Sequence, residues 1–226
     1  MYKALVIGAG RIGAGFNWHD DAYTHAGAYE ALKGRVELIG FVEPDPARAQ
    51  AAEKKWRLLS YETFEDAPKA DIYSVCVQPE EQDSVLWKLS HAKAIWCEKP
   101  LISADRHPVM QINYLRRADR VHRTIAMLPD IQCDDGGDRY LFVTAKDDIH
   151  TRCHFEDLAR WWKATLVYTK IDGPNSYFLR FRNVTGGYSE KFFSLGGIDG
   201  GPCMKAMLGN ILDHLDFETP LWSPAS

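Results

Sequence analysis

Short apolar runs and helical segments alternate along the first 127 residues. The apolar runs are rich in β-branched residues, as expected for strands buried on both faces of a parallel sheet, and they span residues 2–7, 36–42, 71–77, 94–97 and 121–127. The segments between them carry apolar residues at helical spacing, over residues 26–32, 46–56, 80–89 and 104–117. This alternation predicts an α/β fold with a doubly wound parallel sheet.

The pattern changes after Pro129. Residues 130–138 are polar and contain glycine, and the later apolar runs are longer and suit antiparallel pairing. We expect strands over 139–146, 165–171, 177–183 and 188–195, helices over 155–163 and 204–215, and a glycine-rich loop over 196–201. The sequence therefore predicts two domains, at 1–128 and 129–226, of which the second is a smaller α+β domain with a mainly antiparallel sheet.

A glycine motif, Gly8-Ala9-Gly10-Arg11-Ile12-Gly13, follows the first strand without a gap. Gly8 permits a tight turn, Gly10 lets the backbone approach a diphosphate, and Gly13 lets the next helix pack on the strand. Glycine turns without a ligand also show this spacing, as do other nucleotide binders such as methyltransferases. Because a strand precedes the motif directly, we predict a dinucleotide-binding Rossmann domain that uses Gly8, Gly10, Arg11, Ile12 and Gly13.

Glu43 ends the second predicted strand, where a carboxylate can accept hydrogen bonds from the adenosine ribose. The separation from Gly13 exceeds the usual spacing of about 20 residues, so an inserted loop around residues 17–24 is required. Glu43 would repel a 2′-phosphate and favour NAD, whereas Arg48 could offset that repulsion or could be an ordinary solvated helix residue. The cofactor is therefore expected to be NAD or NADP.

The turn Glu98-Lys99-Pro100 follows the fourth predicted strand, at the sheet edge where open α/β proteins bind ligands. Lys99 could donate a hydrogen bond to a substrate hydroxyl or carbonyl and shuttle its proton. Pro100 would fix the backbone, and Glu98 would orient the lysine or balance its charge. The alternative is a solvated surface pair that contributes little.

These segments, together with 41–49, Gln78-Pro79 and 97–101, resemble the glucose–fructose oxidoreductase/inositol dehydrogenase (Gfo/Idh/MocA) family over residues 1 to about 127. The resemblance implies NAD(P) bound by a Rossmann domain, with Gln78, Pro79, Glu98 and Lys99 near the cofactor. It also implies an α+β partner domain and reversible hydride transfer at a sugar-like alcohol.

The segment from His154 to Trp161 is similar to the family helix H-x-x-D-L-x-x-W, which makes His154 the expected catalytic histidine beside Lys99. The family commonly has an aspartate four positions earlier, where this chain has His150. Family members are also usually longer, which implies a shortened second domain for substrate binding and oligomerisation. Two alternatives follow: a noncatalytic NAD(P)-binding sensor or subunit, and a reductase of a non-sugar substrate such as a linear tetrapyrrole or imine.

Composition narrows the partners. A net charge of −4 and a pI near 6.1 give no reason to expect nucleic acid or an anionic membrane. The five cysteines form no C-x-x-C pair and suit a reducing cytoplasm, and no apolar run approaches about 20 residues. We expect a cytoplasmic homodimer or larger homo-oligomer with a small-molecule substrate.

His150, His154 and Asp157 could share a helix face, but no metal motif such as H-E-x-x-H is present, so no metal is expected.

A basic cluster is the last candidate feature. It lies at the end of the helix predicted over 104–117 and consists of Arg116, Arg117, Arg120 and Arg123. Cations there would complement the helix dipole, or they could bind a phosphate-bearing substrate.

Overall fold

A computed structural model describes most of the chain. The described residues are 1–101, 107–126, 139–145, 148–171, 176–182, 188–194 and 200–222. By contact density the chain divides into a first unit, Met1–Leu115 with Gly200–Ser226, and a second unit, Arg116–Asp199.

The first unit is built on a six-stranded parallel sheet. Its strands are β1 (Tyr2–Ile7), β2 (Val36–Val42), β3 (Ser60–Tyr61), β4 (Ile72–Val75), β5 (Ala94–Cys97) and β6 (Met110–Ile112). They lie in the order β3-β2-β1-β4-β5-β6, which is the doubly wound order of dinucleotide-binding domains. The chain reverses direction of travel across the sheet between β1 and β4, and this switch point is where such sheets bind ligands.

Among the described residues, four α-helices connect these strands: α1 (Arg11–Ala14), α2 (His25–Ala31), α3 (Pro46–Trp56) and α4 (Gln82–Leu86). The start of α3 follows from its sequence, because the Asp45 side chain accepts hydrogen bonds from the amides of Ala47 and Arg48 and Pro46 occupies the first turn. Short 3₁₀ turns at Pro79–Glu81 and Trp87–Leu89 flank α4. The predicted doubly wound sheet is confirmed.

Two predicted elements around residue 115 are wrong. The structure has strand β6 inside the expected helix 104–117, of which 104–106 lie outside the described residues, and it has helix α5 (Arg120–Ala126) where a strand was expected. Three residues are too short a run to show a strand period. The segment 121–126 carries Val121 and Ile125 at helical spacing, and the Asp119 carboxylate accepts a hydrogen bond from the amide of His122 at the start of α5.

The second unit is built on a four-stranded sheet, and its described part also contains helix α5 and one longer helix. Its elements after α5 are β7 (Arg139–Ala145), α6 (Ile149–Trp161), β8 (Thr165–Lys170), β9 (Ser176–Arg182) and β10 (Tyr188–Ser194). The sheet order is β10-β9-β7-β8, with β7 and β8 parallel and the other two pairings antiparallel. Leu141 and Leu179 of the sheet form a core with Phe155, Leu158 and Trp162. The mainly antiparallel α+β fold expected for this region is confirmed.

The last helix, α7 (Gly200–Phe217), packs with the first unit, whereas the sequence placed residues 204–215 in a second domain that began at residue 129. The side chain of Gln111 donates a hydrogen bond to the carbonyl of Met207 at 2.8 Å, and Arg35 forms ion pairs with Asp213 and Asp216. Helical periodicity showed that α7 buries one apolar face but not which part of the chain covers it. The helix also begins inside the loop predicted over 196–201, of which 196–199 lie outside the described residues.

None of the helices in the described ranges is both long and apolar enough to cross a bilayer.

Candidate cofactor and active site

The glycine loop between β1 and α1 has the geometry that its three glycines predict. Gly8 has φ +93°, and a Cβ there would lie 2.7 Å from the carbonyl oxygen of Cys76. A Cβ on Gly13 would overlap the carbonyl oxygen of Gly8, so the helix start packs directly on the loop. Gly10 has open space around it. The loop is therefore tight on the protein side and accessible on the ligand side.

Glu43 holds this loop in place through a hydrogen bond to its main chain. The residue is only 4% exposed, and its two carboxylate oxygens accept hydrogen bonds from the amide of Ala9 at 2.8 Å and the amide of Asp45 at 3.0 Å. The residue thus ties the glycine loop to the turn that starts α3. Glu43 also lines the adjacent cleft, and its predicted contact to a ribose stays a prediction.

A cleft of about 680 Å³ opens over the carboxyl ends of β1, β2 and β4. Its volume lies in the range of small-molecule and cofactor sites. It is lined by seven of the predicted cofactor residues: Gly8, Gly10, Arg11, Ile12, Glu43, Arg48 and Gln78. The other four, Gly13, Pro79, Glu98 and Lys99, are not among its lining residues.

Several lining residues escaped the sequence reasoning. Trp18 comes from the inserted loop after α1, and Phe64, Val85 and Lys88 come from segments on the far side of the cleft. The Arg11 guanidinium lies 3.6 Å from the centroid of the Trp18 ring, a cation–π geometry. The sequence signal for Trp18 was the inserted loop around residues 17–24, because an aromatic residue just after a phosphate-binding loop is close enough in the chain to reach the ligand.

The Glu98-Lys99-Pro100 turn sits on a buried polar network at the carboxyl end of β5. His25 is fully buried, and its two ring nitrogens lie 2.9 Å from the hydroxyl of Ser74 and 3.0 Å from the carboxylate of Glu98. The Asn113 amide donates to the same carboxylate oxygen, and the second oxygen accepts from the backbone amide of Lys99 at 3.2 Å. The carboxylate therefore fixes the turn that carries the lysine.

Opposing effects act on the Glu98 carboxyl. Burial alone would raise its pKa, but the hydrogen bonds from His25 and Asn113 and the nearby charge of Lys99 outweigh burial and lower the pKa. Glu98 is thus an ionised group inside the fold near neutral pH. His25 also packs against Trp96, with ring centroids 3.8 Å apart.

The main chain of the turn has its own support. The buried Gln82 amide donates hydrogen bonds to the carbonyls of Glu98 and Pro100, both at 3.1 Å. The Lys99 side chain is half-exposed. Lys99 therefore projects from a turn that is fixed at both ends, which is the arrangement a positioned proton donor requires.

The sequence reasoning missed His25, Gln82 and Asn113 as supports of this turn. One signal could have identified His25. It begins the short helix α2, in which Ala26, Ala28 and Tyr29 are also buried. A histidine on such a face must find a polar partner inside the fold.

In the second unit His154 lies on α6 and is half-buried. One turn further, Asp157 is 3% exposed and accepts two hydrogen bonds from the Arg117 guanidinium, at 2.9 and 2.7 Å. Burial raises the pKa of Asp157 despite this partner. Asp157 thus forms a buried ion pair with Arg117 that anchors α6. The side chain of His150, the other histidine considered in this region, lies outside the described residues.

The basic cluster does not lie at the end of the helix predicted over 104–117, because residues 110–112 of that range form strand β6. Arg123 of the cluster lies instead in the last turn of α5, where its charge complements the helix dipole. Arg116 and Arg117 lie in a 3₁₀ turn, Leu115–Arg117, and Arg120 and Arg123 belong to α5, of which Arg120 is the first residue. Arg116 is 8% exposed, with its guanidinium over the rings of Phe155 and Tyr177. Two of the four arginines therefore serve internal packing.

The glycine loop, the carboxylate after β2 and the cleft at the switch point define a dinucleotide-binding protein of the Rossmann class. The chain belongs to the Gfo/Idh/MocA family: the family model described as an oxidoreductase family with an NAD-binding Rossmann fold matches residues 2–126. The predicted family and the predicted nicotinamide cofactor class are confirmed.

Solved structures support the same fold over nearly the whole chain. A putative myo-inositol dehydrogenase from Sinorhizobium meliloti 1021 has a TM-score of 0.71 at 12% identity, covering 98% of this chain and 91% of that one. The WlbA dehydrogenase from Bordetella pertussis, in complex with NADH and UDP-GlcNAcA, has a TM-score of 0.66 at 12% identity, covering 98% and 90%.

A third similar structure is the UDP-N-acetylglucosamine 3-dehydrogenase GnnA from Acidithiobacillus ferrooxidans, with a TM-score of 0.66 at 14% identity, covering 99% of this chain and 91% of that one. No curated protein matches the sequence. At these identities the structural likeness shows the fold, and the substrate has to be argued from the site.

Proposed function

We propose that this protein is an NAD(P)-dependent oxidoreductase that transfers a hydride between nicotinamide and an alcohol or carbonyl of a sugar or sugar derivative. The observation that carries the proposal is the Lys99 turn, which a buried carboxylate fixes at the same sheet edge as the glycine-loop cleft. The structural likeness to an inositol dehydrogenase and to two sugar-nucleotide dehydrogenases supports the substrate class.

The residues present fit the cofactor. Gly10 leaves the space that a diphosphate needs, and Glu43 lies where a ribose hydroxyl can donate to it. When bound, nicotinamide supplies the hydride acceptor or donor. Lys99 would hydrogen-bond the reacting oxygen of the substrate and take up its proton on oxidation, or return it on reduction. His154 would assist this proton transfer.

The test measures absorbance at 340 nm during incubation with NAD⁺ or NADP⁺ and a panel of inositols, free sugars and UDP-sugars. Lys99→Ala should lower turnover about 10²–10⁴-fold, the usual loss for a positioned proton-transfer group, and leave the Kd for NADH within about twofold. Lys54→Ala, at an exposed lysine of α3, is the matched control. Unchanged turnover in Lys99→Ala would refute the assigned role.

A noncatalytic NAD(P)-binding subunit is the second candidate, favoured by His150 at the position of the family's aspartate. It predicts that the wild-type chain binds NADH and that no substrate of the panel changes the absorbance. A second set of assays contains NADPH with linear tetrapyrroles or cyclic imines. Oxidation of NADPH by one of these compounds would indicate a reductase of another substrate class instead of a noncatalytic subunit. Turnover with any sugar would exclude the noncatalytic function.

A further inference from the structure

The helix that follows the glycine loop is unusually short. α1 contains four residues and ends at Gly15, whose φ of +78° breaks the helix. A longer helix at this place would offer a diphosphate the summed dipole of many aligned peptide units. One turn supplies less of that potential, so a side-chain cation beside the main-chain amides would add to the compensation of a bound diphosphate.

Arg11 is the cation closest in sequence to the glycine loop, since it follows Gly10 directly and lines the cleft. The two other cationic residues that line the cleft are Arg48, which comes from α3, and Lys88, which is ion-paired with Glu65. An exposed arginine side chain samples many rotamers, and ordering it on binding costs free energy. The stacking of its guanidinium on Trp18 reduces that cost.

Trp18 itself is held by the inserted loop. Its ring stacks with that of Tyr23 at 5.9 Å between centroids. Lys55 of α3 donates to the carbonyl of Gly15 at 3.2 Å and forms an ion pair with Asp21, and the indole of Trp56 donates to the carbonyl of Ala14 at 2.9 Å. The loop is therefore fastened to α3 on both sides of Trp18.

We propose that Trp18 is a positioning residue that holds the Arg11 guanidinium over the cleft, where it binds the diphosphate of a nucleoside diphosphate or dinucleotide. The inserted loop thereby replaces the missing helix dipole with an oriented cation. This inference rests on the proposed cofactor function of the cleft and adds a residue to it.

The test is calorimetric titration of the full chain with NADH, ADP and adenosine. Arg11→Met should weaken NADH and ADP about tenfold, as expected for a lost charge-assisted contact. Trp18→Ala should weaken the same two ligands about two- to fivefold, which corresponds to an exposed cation–π pair. Adenosine carries no phosphate, so both variants should bind it as wild type does. Trp18→Phe keeps a ring and should lie between wild type and Trp18→Ala.

The combination Arg11→Met with Trp18→Ala should bind no more weakly than Arg11→Met alone, because Trp18 acts through Arg11. Trp87→Ala, at a tryptophan that is 78% exposed, and Arg57→Met, at an exposed arginine that does not line the cleft, are the matched controls. The proposal is overturned if the two losses add, if Trp18→Ala weakens adenosine equally, or if Trp18→Ala and Trp18→Phe, both folded by circular dichroism, bind ADP as wild type does. Failure of the wild-type chain to bind NADH would instead refute the cofactor function.

Discussion

Two buried glutamates fix the two functional turns of the first unit, and they differ in the groups that hold them. Glu43, 4% exposed, holds the glycine loop through two main-chain amides. Glu98, 7% exposed, holds the lysine turn through one main-chain amide, but its own position depends on the side chains of His25 and Asn113.

This difference teaches where each turn is vulnerable. Main-chain donors are present at every residue except proline, so the contacts of the glycine loop are lost mainly through a change at Glu43 or at the tightly packed Gly8 and Gly13. The lysine turn can also fail through substitutions far away in the sequence, at the start of α2 or after β6. The cofactor loop is thus secured by backbone and the proposed catalytic turn by side-chain chemistry.

The largest expected effect is at Glu98. Glu98→Ala would leave the buried His25 and Asn113 side chains without their acceptor, and removing one member of a buried polar pair costs about 3–5 kcal/mol. We expect urea unfolding to show a loss of that size in the free energy of unfolding. Glu80→Ala, at an exposed glutamate, should change it by less than about 0.5 kcal/mol. A loss at Glu98 no larger than that of the control would contradict the role of the network.

A smaller effect is expected at Glu43. Glu43→Gln keeps the shape but replaces one acceptor oxygen with an NH₂ group, which cannot accept from the amide of Ala9 or Asp45. One main-chain amide then lacks its acceptor, at a cost of about 1–3 kcal/mol if it is the buried amide of Ala9 and less if it is the amide of the exposed Asp45. The same urea titration measures this loss, and calorimetry with NADH should show weaker binding because the glycine loop is less well held. If stability falls but NADH affinity does not, the loop does not depend on this carboxylate.

The smallest effect is the pH dependence that Glu98 contributes. Its pKa in the folded protein lies below the ordinary glutamate value of 4.5, so its stabilising contribution is complete above that value and is lost as the pH falls through the folded pKa. Asp157 contributes with the opposite sign, because burial raises its pKa. We therefore expect the difference in unfolding free energy between wild type and Glu98→Gln to shrink below pH 4.5. A difference that is constant with pH would show that Glu98 is not an ionised contributor.

Much of the sheet could be predicted from the sequence, because β1, β2, β4 and β5 lie in largely apolar runs and each glycine of the loop has its own steric reason. The same logic found the Glu98-Lys99-Pro100 turn, since residues at the carboxyl ends of parallel strands meet at one edge. These are local signals. They fail for β6 and for β3, which the sequence did not predict, because runs of three and two residues are too short to show a period.

The support of the site could not be predicted, because it depends on contacts between distant positions. His25 and Glu98 are separated by 73 residues, and nothing in the sequence around either one identifies its partner. Trp18 escaped for a different reason, since an inserted loop has no repeating pattern from which a side-chain direction can be inferred. The part of the chain that covers the apolar face of α7 is likewise set by contacts between distant residues, so the local sequence does not identify it.

The packing of α7 has a consequence for synthesis of the chain. Tyr2 on the first strand hydrogen-bonds Asp216, 214 residues later, and Arg35 reaches Asp213 across 178 residues. The whole second unit is translated between the sheet and the helix that completes its packing. At about 5–20 residues per second, that interval is on the order of ten seconds. On the ribosome, the sheet of the first unit therefore stays without this helix for that interval, until the segment that covers its apolar surface has been synthesised.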